Sequence, residues 1–165
     1  MVNQDNASNN SFPQLEKIIS LIFEKRYAEA RSLIELQYSL IAPDEAHRLI
    51  AISALLSKER GDMEGAFELM RKAISVKPFW LPHHYRLCVM LMEEGRWSDA
   101  IAILDKLIRI SKAKDDVYFL SESLFRKAIC LRELGYTREF ERVRADIPEG
   151  TTIYLNDRII GLEDL

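Results

Sequence analysis

Positive charge is in short supply in this chain: 23 Lys and Arg are set against 26 Asp and Glu over 165 residues, a formal net charge of -3. No broad cationic surface exists to release counterions from a phosphate backbone, so nucleic acid is not the expected partner. Histidine is scarcer still, at three residues. His83 and His84 are adjacent, so on a helix they point about 100° apart and cannot share a metal as an i, i+4 pair does. Surface or interface positions are expected for His47, His83 and His84. The two cysteines, Cys88 and Cys130, lie far apart in apolar surroundings without CxxC spacing, and read as buried small hydrophobes. Phosphate-cradling GxxxxGK[ST], dinucleotide-binding GxGxxG, nucleophile-elbow GxSxG and zinc-binding HExxH are all missing. Carboxylates are plentiful, as in Glu93-Glu94 and Asp115-Asp116, but they fall at helix ends without a convergent partner. An enzyme, a metal site and a cofactor are therefore not expected.

Long apolar runs are missing too. Nothing approaches the about 18 residues needed to span a bilayer, and MVNQDNASNNSF lacks the charged and apolar regions of a secretory signal. A cytoplasmic chain with no membrane partner is the expectation, with residues 1–11 as a disordered tail. The 48% hydrophobic and 30% charged composition is that of one soluble domain with a single core.

What the chain does have is self-similarity. Gly61, Ala66, Ala73 and Pro78 are spaced Gly-x4-Ala-x6-Ala-x4-Pro, and Gly95 and Ala100 repeat the first two 34 residues later. Bulky Met63 and Trp97 follow the glycines by two residues. Small Ala54, Cys88 and Ala128 precede Gly61, Gly95 and Gly135 by seven, while Tyr27 and Ala30 carry the pattern upstream. Glycine ends a first helix by entering the left-handed region without a Cβ penalty, small residues let two helices approach, and Pro78 stops the second helix. Apolar residues at three and four spacing predict helices over 13–24, 27–41, 44–60, 63–76, 80–94, 97–112, 116–134 and 137–145. Asp44, Ser98 and Asp115 or Asp116 stand where side-chain oxygens can cap helix starts. Beyond Pro148, TTIYLNDRIIG reads as two short strands around Asn156-Asp157. Such a hairpin is marginal alone and should dock, either as a cap on the last repeat or with an edge offered to a partner strand.

Gly61, Ala66, Ala73 and Pro78 in full, and Cys88 to Lys112 in part, resemble the tetratricopeptide repeat family. Lys25 replaces a turn glycine in the first hairpin, and Phe140 replaces a small residue in the last. The resemblance implies an all-α, right-handed solenoid of about four helix hairpins over 12–147, with 148–165 as a short C-terminal β-hairpin. It further implies that the first helix of each hairpin lines a concave groove. Carried onto this chain, that selects Arg48, Ala51, Leu55 and Lys58, then Tyr85, Val89 and Met92, then Phe125, Ile129 and Arg132, with core membership as the competing reading for Tyr85, Phe125 and Ile129. Family members that clamp a carboxylate tail use lysine and asparagine there. Ala51, Leu55, Tyr85, Val89, Phe125 and Ile129 do not suit that use.

The implied function is a non-catalytic module that holds a protein or peptide, as an adaptor or secretion-type chaperone. The alternatives are an immunity protein that neutralises a toxin, and a structural homo-oligomer such as a homodimer.

Overall fold

The computed structural model describes residues 11–155 and 158–165. The expected tail falls almost wholly outside them, apart from Ser11, which opens the first helix. The fold is tetratricopeptide-like: helix hairpins followed by one small β-hairpin. The helical region read as one body with one core is described as two compact units, 1–78 and 79–165, with the boundary just after Pro78.

In the first unit, α1 (Ser11–Phe23) and α2 (Tyr27–Tyr38) form one hairpin, and a 3-10 turn at Pro43–Glu45 leads into a second, α3 (Ala46–Glu59) and α4 (Met63–Val76). In the other, α5 (Leu81–Glu93) pairs with α6 (Trp97–Lys114), and α7 (Val117–Glu133) with α8 (Thr137–Ala145). Strands β1 (Ile153–Leu155) and β2 (Arg158–Ile160) close that unit, antiparallel with Ile153 opposite Ile160 and Tyr154 opposite Ile159. The expected Asn156-Asp157 turn lies outside the described residues.

One device repeats at the turns. Gly61, Gly95 and Gly135 take φ of 83°, 66° and 73°, and the next residue's N–H reaches back five residues: Asp62 to Ser57 O, Arg96 to Leu91 O, Tyr136 to Leu131 O. This is the Schellman arrangement, which satisfies carbonyls that a helix end leaves open. Lys25 (φ 60°) and Asp115 (φ 53°) adopt it with a Cβ, and Arg26 and Asp116 make the corresponding bonds to Leu21 O and Ser111 O. The two neighbouring aspartates thereby divide their work: Asp115 ends α6, whereas the Asp116 carboxylate caps α7 by accepting from Phe119 N at 3.0 Å. Asp62 caps α4 in the same way, through Gly65 N. Asp44 lies in the 3-10 turn and Ser98 one residue inside α6, neither as a cap.

The small repeat residues Ala30, Ala54, Ala66, Ala73, Cys88, Ala100 and Ala128 are wholly buried, which lets paired helices pack closely. Around them each unit builds its own core. Leu15, Ile18, Ile22, Ile34, Leu49, Ile52 and Leu56 form one cluster. In the other unit Leu87, Leu91, Leu104 and Phe125 are enclosed, and Leu81, Leu107 and Ile110 pack with Tyr85 and Phe119. Enclosing each such side chain stabilises by about 1.5–3 kcal/mol. Helix α8 is the exception: Phe140 stands where a small residue belongs, and no residue of the helix is buried.

Candidate functional site

The first helices of the hairpins carry the residues picked out by the family pattern, and burial divides them. On α3, Arg48 is half-buried and donates to Glu45, while Leu55 packs against the first unit's core, Lys58 is half-buried and Ala51 is buried. In the other unit Tyr85 and Val89 are half-buried on α5 and Arg132 is exposed on α7. Phe125 at 0% exposure, Ile129 at 4% and Met92 at 6% face inward. They share a helix face with the others, but each sits where the neighbouring helix packs, so as folded they belong to the core.

Around Tyr85 the side chains converge. The Arg126 guanidinium, 3% exposed, donates through Nη2 to Tyr85 Oη at 2.7 Å and through Nε to Glu122 Oε2 at 3.2 Å. Tyr85 Oη in turn donates to Glu122 Oε2 at 3.1 Å, and the guanidinium lies 5.0 Å from the Tyr85 ring centroid, within cation–π range. Burial pushes the Tyr85 phenol up to about 12, with Arg126 opposing and Glu122 adding to the rise, so it stays a neutral donor at physiological pH. Phe119 meets the Tyr85 ring edge-on at 5.8 Å, and Tyr118 meets Phe119 at 5.3 Å. A row of three rings thus runs from exposed Tyr118 (65%) through Phe119 and Tyr85 to a buried cation.

Other exposed groups flank this row. Val117 (69%) precedes Tyr118, and the Lys114 ammonium, bonded to Phe79 O at 2.9 Å, brings exposed Phe79 (68%) to the same end of the unit. Arg86, one position after Tyr85 on α5, points about 100° away from it around the helix; its side chain reaches solvent, yet partial burial of the guanidinium lowers its pKa. The sequence reading missed Tyr118, Val117 and Phe79 because it treated their segments as turns and helix starts. Their signal is the density of large apolar residues next to Asp115-Asp116 and Pro78.

Acid–base or metal chemistry finds no matching arrangement among the described residues. They hold no group of three or more His, Cys, Asp and Glu that could bind a metal ion. Contrary to the surface or interface placement expected of them, His47, His83 and His84 are all buried, on α3 and α5. Cys88 and Cys130 are buried as expected, and burial raises both thiols to about 12. A shallow depression between α1 and α2 is lined by Lys17, Glu24, Arg26 and Glu29, but Arg26 already pairs with Glu24 at 2.9 Å and Glu29 at 2.7 Å. No helix among the described residues is long and apolar enough to cross a membrane.

The 148–165 segment docks within its own unit. Ile153 (2%) and Ile160 (6%) are buried, whereas their neighbours Tyr154 (62%) and Ile159 (72%) face outward. Arg126 Nη2 donates to Tyr154 O at 3.2 Å, Arg132 Nη1 to Asp164 O and Leu165 O at 3.0 Å each, and Arg144 Nη2 to Leu162 O at 3.3 Å.

No family model matches this chain, and no curated protein sequence does. Among solved structures, the crystal structure of a Podosopora anserina protein assigned as a kinesin light chain, with nearly identical TPR-like repeats, superimposes with a TM-score of 0.66 at 14% identity. The match covers 88% of this chain and 75% of that one. At that identity the likeness bears on architecture alone, and it establishes the fold of this chain as a TPR-like helical repeat.

Proposed function

We propose that the chain is a non-catalytic module that holds a polypeptide segment on the faces of its first helices, as an adaptor or secretion-type chaperone. The observation that supports this reading is the ring row on α5 and α7. Tyr118, Phe119 and Tyr85 lead from solvent to Arg126, with Val117 and Phe79 nearby. Rigid aromatic side chains next to an arginine are the composition by which interfaces concentrate binding energy, and aromatics lose little conformational freedom on contact. Arg48, Leu55 and Lys58 on α3 offer a second, more polar face in the other unit.

Exposed residues make the cleaner probes, because Tyr85 is tied into a buried network and Phe125 is core. A peptide selected against the full chain from a phage-displayed library is expected to lose at least tenfold in affinity, by calorimetry, with Val117→Ser and Tyr118→Ser together or with Phe79→Ser. Helix content should be unchanged, since exposed substitutions of this kind shift stability by only about 0.5 kcal/mol. Undiminished affinity in both variants removes the ring row as the site. A selection that yields only folded proteins, bound at nanomolar strength, would favour a neutralising role over a peptide holder.

A further inference from the structure

We propose that the C-terminal β-hairpin regulates the ring row: docking of the hairpin and seating of a polypeptide on Tyr118 and Phe119 favour each other through one nitrogen, Arg126 Nη2. The inference rests on the reading of the ring row as a polypeptide-holding surface, and adds how that surface is controlled.

An unbroken run of contacts joins the two places. Tyr118 meets Phe119 at 5.3 Å, Phe119 meets the Tyr85 ring edge-on at 5.8 Å, and Tyr85 Oη accepts from Arg126 Nη2 at 2.7 Å. The same Nη2 donates to the carbonyl of Tyr154, in β1, at 3.2 Å. A terminal guanidinium nitrogen carries two N–H groups, so one serves the ring row and the other serves the hairpin. The neighbouring places are taken. Arg126 Nε and Tyr85 Oη both donate to Glu122 Oε2, and a hydroxyl whose one hydrogen is spent there can only accept from Arg126. The group therefore has a single bonded arrangement with the hairpin in place.

Burial turns this run into a coupling. Arg126 is 3% exposed, and a buried donor left without an acceptor is penalised far more than one at the surface. When β1 lifts, one Nη2 hydrogen loses the Tyr154 carbonyl, and the guanidinium has to turn toward another acceptor or admit water. Turning draws the other hydrogen away from Tyr85, whose ring supports Phe119. Lifting is a local event, because two strands of three residues are below independent stability and the helices keep cores of their own. The hairpin is thus the two-state element that a coupling requires, and linkage makes the effect reciprocal: a ligand that fixes Phe119 also favours the docked hairpin.

The test follows amide hydrogen exchange in the full chain, in two arms. Without ligand, Tyr85→Phe keeps the ring and removes only the hydroxyl. Amides of residues 153–155 and 158–160 should then exchange at least about fivefold faster than in wild type, while those of central α7 keep their rates. In the second arm, a phage-selected peptide whose affinity falls with Val117→Ser and Tyr118→Ser is added at saturation. It should slow the hairpin amides at least about fivefold in wild type and leave them unchanged in Tyr85→Phe. Hairpin exchange that is unchanged in the first arm, or in wild type with peptide, overturns the proposal. So does a Tyr85→Phe variant in which central α7 speeds up as much as the hairpin, or a slowing by peptide that persists in that variant and so marks direct cover of the hairpin. The first arm needs no ligand, so failure of the ring row as a binding surface and failure of the coupling are told apart.

Discussion

Lys25 sits at φ 60° in the turn between α1 and α2, the place that Gly61, Gly95 and Gly135 fill elsewhere. A side chain in the left-handed region costs about 1–2 kcal/mol, part of which glycine forfeits through the greater freedom of its unfolded chain. Lys25→Gly is expected to stabilise by about 0.5–1 kcal/mol in urea unfolding. His47 sets an acid limit. Burial lowers its pKa below 6.5, Arg48 and Lys77 lower it further, and Glu45 and Asp44 oppose. A folded-state value below the unfolded one means no penalty above pH 6.5 and a penalty that grows as pH falls below it, because the unfolded chain then binds the proton first. The melting temperature should therefore drop on going from pH 7 to pH 5.5, and His47→Gln should lessen the drop; an unchanged pH profile would exclude His47 as the source. The thiols behave oppositely to redox sensors. Raised from 9.0 to about 12, Cys88 and Cys130 hold about a thousandfold less thiolate near neutral pH than ordinary cysteines. Both should resist iodoacetamide in the native chain and react within minutes in urea.

At the scale of the element, α7 is the most instructive helix. Glu122 and Arg126 are an i, i+4 pair, a spacing that in a sequence reads as a solvated helix-surface bridge worth a few tenths of a kcal/mol. Here both are buried, their side chains 9% and 4% exposed, and they join α5 and β1 to α7. Arg126→Met alone strands a buried carboxylate and should cost about 3 kcal/mol or more. Arg126→Met combined with Glu122→Leu should recover most of that loss in urea unfolding, since the pair's desolvation is then removed with it. A double variant as unstable as the single one would assign the cost to the Tyr154 carbonyl contact instead. Helix α8 is short and buries none of its residues.

For the molecule as a whole, the repeat pattern was legible because its marks are sterically forced. Gly61, Gly95 and Gly135 occur where the chain needs positive φ, and Ala54, Ala66, Cys88, Ala100 and Ala128 occur where helices touch, so spacing alone located the hairpins to within a few residues. The candidate site was legible only in part. Helical periodicity shows that Tyr85, Val89, Phe125 and Ile129 occupy recurrent faces, but not which faces a neighbouring helix will cover, and that decides between half-buried Tyr85 and enclosed Phe125. Nor does spacing reveal a carbonyl acceptor supplied from 28 residues away, which is how Tyr154 O meets Arg126. The short connection from α8 to β1, residues 146–152, carries a kinetic and thermodynamic consequence. A tether of that length holds its end at an effective concentration on the order of millimolar. Even a hairpin of modest intrinsic affinity therefore stays docked on its own unit far more than a separate peptide of the same sequence would.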